Sequence, residues 1–245
     1  MRTWTGSTYG GTAMQRVAVI TGASQGLGRE LARSLAASGW SLVIDARRED
    51  LLHDAVASIE SSADHGAKVV AIAGDVTDAG HRAQLADAAR SAGTVRLVVN
   101  NASTLGASPL PALVDLDPAT YLRTLEVNLV APIALVAALA DQLGDGVTIV
   151  NVSSDAAVEP YDHWGGYGSS KAALDHASMI LAEEHPTWRV LAVDPGDLNT
   201  ELHRAAFPGE DLSDLPGPEA AVPGFRTLID GALPSGRYRA QELAR

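Results

Sequence analysis

The stretch Val17-Ala18-Val19-Ile20-Thr21-Gly22-Ala23-Ser24-Gln25-Gly26-Leu27-Gly28 decides how the chain is read. A β-branched run ends in spaced glycines, and from Leu27 to Ser38 apolar side chains recur at helical period. Strand, glycine turn and helix in direct succession bring backbone N–H groups to one point. Glycine permits the tight turn and the close approach of a ligand, and the helix N-terminus with its dipole favours an anion such as pyrophosphate. Gly22 and Gly26 are four apart and Gly28 is two further on, which is not the usual dinucleotide spacing.

Working outward, short β-branched runs recur at Ser41 to Asp45, Val69 to Ala73, Leu97 to Asn100, Val147 to Val152 and Val190 to Val193. Between them lie helical segments near Glu49 to Ser62, Ala79 to Ala92, Pro118 to Leu143 and Gly168 to Glu184, with a last helix about Glu219 to Leu233 before a strand at Arg237 to Arg239. Strands apolar on both faces must be covered on both, so the pattern predicts an α/β fold: a Rossmann-type, doubly wound parallel sheet in three layers. No repeat or linker divides the series, which predicts one domain over 16–245 after a flexible extension at 1–15. The proline- and glycine-bearing segment 198–218 follows a strand end, where open sheets bind ligands, and reads as a lid; an ordinary surface connection is the plainer alternative.

The formal net charge of −12 argues against a nucleic-acid or membrane-surface binder, and the N-terminal stretch lacks the apolar run of a secretion signal. The apolar run Leu129 to Ala140 is short for a bilayer span and contains Pro132, so a buried helix and a cytoplasmic protein are expected. Without cysteine there is no thiolate nucleophile, and the histidines lack ligand spacing, so no metal is expected.

Tyr167 and Lys171 are four apart in a helical segment and so share a face; of five tyrosines only this one has lysine four residues later. A phenol with an ordinary pKa near ~10 needs a neighbouring cation to exchange protons near neutrality. Ser154 closes the run Val147 to Val152, and Asn128 sits within the longest helical segment. Read by themselves, those two fit a cap and a helix-bending polar residue as readily as a catalytic role.

Thr21-Gly22-x-x-x-Gly26-x-Gly28 resembles the cofactor loop of the short-chain dehydrogenase/reductase family, and further matches follow in order. Asp75-Val76 resembles the family's adenine-contacting pair; Asn100-Asn101-Ala102 resembles its Asn-Asn-Ala-Gly element, with Ser103 in place of the glycine. The serine-to-tyrosine spacing from Ser154 to Tyr167, and Asn128 in Glu126-Val127-Asn128, also match. The resemblance implies NADP(H)-binding residues Gly22, Ser24, Gln25, Gly26, Leu27, Gly28, Asp75, Val76, Asn101 and Ala102. From Asp194-Pro195-Gly196-Asp197-Leu198-Asn199-Thr200 it adds Pro195, Gly196, a backbone contact at Leu198 to the nicotinamide carboxamide, and a pyrophosphate contact by Thr200. The family's ribose acid is replaced by Ala46 and followed by Arg47, the pattern of NADP-preferring members, since a guanidinium suits a 2′-phosphate. Asp45, one residue early, faces away on strand alternation; a register slip would instead favour NAD.

In the mechanism this resemblance implies, Tyr167 protonates a carbonyl oxygen, Ser154 positions that oxygen, and Lys171 acts on the phenol and the nicotinamide ribose. Asn128 is implied to hold a water linking the lysine to solvent. Asp155, Tyr161 and Trp164, with Ser154, Tyr167 and the lid near Leu202 to Phe207, are the expected substrate pocket. Segments around Thr104-Leu105-Gly106 and Leu181 to Thr200 are similar to the sepiapterin reductase branch, which suggests a small ketone, dicarbonyl or pterin-like substrate. A homodimer or homotetramer is expected from the apolar helices Pro118 to Leu143 and Gly168 to Glu184. An NAD-dependent alcohol dehydrogenase of the same fold and a non-catalytic NADP-binding redox sensor are the alternatives.

Overall fold

A computed structural model describes residues 15–64 and 66–243. Residues 1–14 of the expected extension lie outside it, but Gln15 belongs to the fold: its carbonyl accepts the Thr94 N–H at 2.9 Å and its amide donates to the Gly39 carbonyl at 3.2 Å.

Strands β1 (Arg16–Ile20), β2 (Ser41–Ala46), β3 (Val69–Ala73), β4 (Thr94–Asn100), β5 (Thr148–Val152), β6 (Arg189–Asp194) and β7 (Gly236–Arg239) form one sheet. Its order is β3-β2-β1-β4-β5-β6-β7 and every pairing is parallel. The winding reverses between β1 and β4, so the crossovers on either side diverge and leave a crevice at the carboxyl ends of these two strands. Helices α1 (Gly26–Ala36), α2 (Glu49–Glu60), α3 (Ala79–Ala92), α4 (Pro118–Leu125), α5 (Ala131–Leu139), α6 (Gly165–Glu184), α7 (Glu201–Ala206), α8 (Val222–Asp230) and α9 (Ala240–Leu243) complete the chain.

Strand alternation feeds two cores. Ala18 and Ile20 point to one face, against Leu31 and Leu35 of α1, Ile59 of α2 and Phe225 of α8. Val17 and Val19 point to the other, against Leu85 of α3 and Leu135 and Leu139 of α5. Truncating any of these leucines to alanine would cost about 2–5 kcal/mol, because the sheet and the helices around the cavity relax only in part.

The single helix expected from Pro118 is interrupted. A π-turn at Glu126–Val130 separates α4 from α5, with the Ala131 N–H bonded to the Glu126 carbonyl. Pro132 has no N–H to return to the Asn128 carbonyl four residues back, and its ring would collide with that carbonyl in a regular helix; the wider turn accommodates both. By length and composition Pro118–Gln142 could cross a membrane. In the fold it packs on α3 and α6 and buries Val127, Asn128, Leu135 and Leu139.

The segment 198–218 is partly helical. Thr200 caps α7 by accepting the His203 N–H at 3.2 Å, and Asn199 ties the segment to itself through the Leu212 carbonyl at 3.1 Å and the Pro216 carbonyl at 2.8 Å. The helix expected about Glu219 to Leu233 is shorter, with a 3₁₀ turn at Pro218–Ala221 before α8 and Gly231 ending it, and the short α9 follows β7.

Candidate active site

At the end of β1 the Thr21 hydroxyl accepts the N–H groups of Asn101 and Ala102, each at 3.0 Å. The Asn101 amide returns two hydrogen bonds, to the Thr21 and Gly22 carbonyls at 2.9 and 3.0 Å. These bonds lock the crevice mouth between β1 and β4. Gly22 has φ +67°, and a Cβ there would stand 2.9 Å from the Ala102 Cα, so both conformation and space demand glycine. Gly28 serves a different purpose from close approach of a ligand: a Cβ would lie 2.5 Å from the Asn101 amide and from the Gly22 carbonyl. No side chain caps α1, which leaves its first-turn N–H groups for an anion in the cleft.

Asp45 lies beneath this loop. Its carboxylate accepts the Gly22 N–H at 2.9 Å and faces His81 Nε2 at 2.9 Å, and burial pushes its carboxyl above the ordinary range. The strand register thus turns Asp45 into a brace for the glycine loop. Arg47, one turn of the strand further on, is exposed, lines the cleft and has no partner among the described residues. Arg48 does have partners: it donates to Gln25 at 2.9 Å and to Glu201 of α7 at 3.0 Å, and Gln25 also bonds Glu201, so a polar clasp joins the glycine loop to the lid. The Asp75 carboxylate is engaged as well. It accepts from the Thr77 N–H and hydroxyl at 2.9 and 2.8 Å and pairs with Arg123; burial opposes these contacts, yet they hold it below the usual carboxylate range.

At the inner end of the cleft, Tyr167 and Lys171 stand one turn apart on α6, both buried. The Lys171 ammonium donates to the Val152 carbonyl at 2.7 Å and lies 5.6 Å from the Tyr167 ring centre. Burial drives the two groups toward their neutral forms: the phenol is pushed up to about 12, and the lysine down to about 8 against the opposing charge of Asp175. Trp164 meets the tyrosine ring edge-on at 5.7 Å and also packs against Tyr161 and Phe207, making an aromatic wall.

Ser154 and Ser103 line the cleft beside the phenol, and their hydroxyls partly offset the effect of burial on it. Ser154, where β5 ends, donates to Asp155 Oδ1 at 3.0 Å and accepts the Ala156 N–H at 3.1 Å; Asp155 Oδ2 accepts the Tyr161 hydroxyl at 2.8 Å. Arg237 of β7 anchors the Ser154 carbonyl at 2.8 Å while paired with Asp175 at 2.9 Å. Asn128 is fully buried in the π-turn. Its Oδ1 accepts the Thr104 N–H at 2.9 Å and the Ser103 hydroxyl at 3.1 Å, and its Nδ2 donates to the Thr104 carbonyl at 2.8 Å and to Ser170 at 2.9 Å. The side-chain amide is therefore saturated, and any water implied by the family resemblance is left to the main-chain carbonyl.

These groups share one cleft of about 1050 Å³. Ser24, Gln25, Gly26, Leu27, Val76, Ala102, Pro195, Gly196, Leu198 and Thr200 line it, together with Asp155, Tyr161 and Trp164, whereas Gly28 and Asn128 do not. The donor set suits a phosphorylated dinucleotide, with an uncapped helix end in the middle of the cleft and a free guanidinium at its outer end. Sequence reasoning passed over Arg48, Glu201, His81 and the bond of Ser103 to Asn128. Ser103 carried a signal, as the one departure in a matched motif; Glu201 and His81 reach the site only through the folded lid and α3.

An uncapped helix end after a glycine turn and a buried tyrosine–lysine pair, at opposite ends of one strand-end cleft, are the arrangement found in oxidoreductases built on Rossmann-type sheets. The chain belongs to the short chain dehydrogenase family, whose family model matches residues 16–211. It is 36% identical over 239 residues to the sepiapterin reductase of Mus musculus, covering 93% of this chain and 89% of that protein. A short chain dehydrogenase from Pseudomonas syringae superposes with a TM-score of 0.84 at 27% identity, covering 92% of this chain and 94% of the other. A short chain dehydrogenase from Shigella flexneri, solved in complex with NADP, gives 0.83 at 26% identity, covering 92% and 97%.

Proposed function

We propose that the chain is an NADP(H)-dependent carbonyl reductase that interconverts a small ketone or dicarbonyl with its secondary alcohol. The observation that carries this reading is the buried Tyr167–Lys171 pair, facing with Ser154 a cleft whose far end offers Arg47, which has no partner among the described residues. The NADP complex of the Shigella flexneri protein and the likeness to sepiapterin reductases support it.

When bound, the nicotinamide supplies the hydride. Arg47 would hold the 2′-phosphate, the Gly22 to Gly26 turn and the α1 N-terminus the pyrophosphate, and the Leu198 backbone the carboxamide. Asp75 and Val76 would border the adenine, with the Asp75 carboxylate already committed to Thr77 and Arg123. Lys171 orients the ribose side and favours phenolate character at Tyr167 Oη. Tyr167 delivers its proton to the carbonyl oxygen, and Ser154 stabilises the developing alkoxide after turning its own proton away from Asp155.

The aromatic wall of Tyr161, Trp164 and Phe207, with Asp155 as an acceptor beside it, suits a flat substrate carrying N–H or O–H donors, and a pterin-like ketone is such a substrate. The test is NADPH oxidation against a panel of diketones, quinones and sepiapterin, repeated with NADH. Turnover of at least one carbonyl with NADPH preferred is expected; cofactor binding without turnover of any panel member would favour a redox sensor instead.

A further inference from the structure

We propose that Arg237, on the edge strand β7, is a positioning residue for Ser154: its guanidinium holds the turn that presents the serine hydroxyl and ties that turn to the helix carrying Tyr167 and Lys171. The inference rests on the carbonyl-reductase reading and adds to it a residue that does not line the cleft.

Strand alternation decides which way Arg237 points. Tyr238 packs on the core that α1 and α8 cover, so Arg237 before it faces the other side of the sheet, where α6 lies. In register Arg237 stands beside Ala192 of β6, and Ala192 beside Asn151 of β5. Its side chain therefore crosses β6 and reaches past Val152, the last residue of β5, to Ser154.

Ser154 needs a tether at that point. The sheet ladder closes just before it, where the Ser153 N–H meets the Val193 carbonyl at 2.8 Å. The bonds of Ser154 to Asp155, Ala156 and Ala157 lie inside the 3₁₀ turn that it opens, so they move with the turn and do not place it. The Ser154 carbonyl accepts the Ala157 N–H at 3.1 Å and Arg237 Nη2 at 2.8 Å. The second of these donors is 83 residues away in the chain and carries a charge.

Nε and Nη2 share one edge of the planar guanidinium, and here that edge meets two elements at once. Nε donates to Asp175 Oδ2 at 2.9 Å, and Asp175 follows Lys171 by one turn of α6, as Lys171 follows Tyr167. Asp175 is buried and its Oδ1 has no partner among the described residues, so its carboxylate leans on Arg237. Asp194 Oδ2 stands 3.7 Å from the same Nη2, with its Oδ1 engaged by the Gly196 N–H at 2.9 Å. The Lys171 ammonium holds the Val152 carbonyl at 2.7 Å, so α6 and β7 grip alternate carbonyls of one strand end. An ion pair that served only to fasten β7 would need Asp175 alone; the added bond sets the serine against the helix that carries the phenol.

The experiment measures kcat and KM for ketone reduction, and NADPH affinity by fluorescence titration, in Arg237→Lys and Arg237→Met, each made in wild type and in Ser154→Ala. Lysine keeps the charge opposite Asp175 but has no two-donor edge, so Arg237→Lys should hold its thermal midpoint near wild type even if Arg237→Met, which strands a buried carboxylate, unfolds. With the serine displaced by up to ~1 Å, kcat should fall about 10-fold in Arg237→Lys and up to about 100-fold in Arg237→Met. KM and the NADPH Kd should stay within about twofold, because the serine acts on the developing alkoxide. In Ser154→Ala the same substitutions should cost less than about twofold, since the group they misplace is gone. Losses of equal size in the two backgrounds, or a wild-type kcat in Arg237→Lys, would overturn the proposal while leaving an impaired Ser154→Ala as support for the reductase reading. Full turnover in Ser154→Ala would instead remove the part given to Ser154 in the reaction, and the positioning role with it.

Discussion

Arg47 is the side chain on which cofactor choice should turn, and replacing it with alanine isolates that role, because the guanidinium makes no contact within the described structure that the fold would miss. A charge-assisted hydrogen bond to phosphate contributes about 1.5–3 kcal/mol, or roughly 10- to 150-fold in affinity. Arg47 is exposed, so screening by water and salt places the expectation at the lower end, about 10-fold weaker NADPH binding. NADH, which lacks the 2′-phosphate, should change less than twofold. Arg48→Ala should matter less to either cofactor, because Arg48 is already engaged by Gln25 and Glu201 and would have to leave them to reach a phosphate. The assay is fluorescence titration of both cofactors at two ionic strengths, and the NADPH effect should shrink at the higher. Equal losses for NADPH and NADH in Arg47→Ala would refute the reasoning and return Asp45 to the ribose.

Tyr167→Phe keeps the ring against Trp164 and deletes the phenol oxygen, so kcat should fall about 10²- to 10⁴-fold with NADPH affinity nearly unchanged, as stopped-flow and binding data would show. Lys171, lowered to about 8 by burial, is charged in both folded and unfolded chains below that value; between about 8 and 10.5 the unfolded chain binds the extra proton, so folding gains stability as pH rises through this window. Thermal unfolding of Lys171→Met lacks this gain, and wild type should therefore improve relative to the variant from pH 8 to 10. Asp45→Ala removes the acceptor of the Gly22 N–H and strands His81, which should cost about 1–3 kcal/mol in denaturant unfolding and weaken NADPH and NADH together, in contrast to Arg47→Ala. Leu122, Val130, Met179 and Ile180 are exposed on α4, the π-turn and α6, and light scattering at micromolar concentration is expected to give a dimer or tetramer mass.

The sheet was legible because its strands are apolar on both faces, so each announces itself in a few residues such as Val17 to Ile20, and alternation with helices leaves one architecture. The Tyr167–Lys171 pair was legible because helical spacing alone places the two groups together. Asp45 was expected to face away from the ribose; in the fold it borders the cleft, and its contacts with His81 and the Gly22 N–H depend on the packing of α3 under β2, which no local spacing in the sequence records. The clasp among Gln25, Arg48 and Glu201 spans three distant segments and was equally invisible. The break in the helix from Pro118 had its cause in view at Pro132, yet a proline announces a disturbance without saying whether the chain will kink or widen.

The π-turn at Glu126–Val130 gives this region an unusual sensitivity to length. A wider turn holds one residue more than the α-helical path it replaces, so α4 and α5 face their neighbours with phases offset by roughly 100°, the angular step of one helical residue. Deleting any one residue between 126 and 130 would remove the extra residue that lets the turn accommodate Pro132, whatever side chain was lost. It would also rotate everything on one side of the turn by that step, carrying either Asn128 out from behind Thr104 or Leu135 and Leu139 out of the core. Substitutions here are tolerated or not according to the side chain; a change in residue count has no tolerated version, and the site and the core keep their common alignment only while the count is conserved.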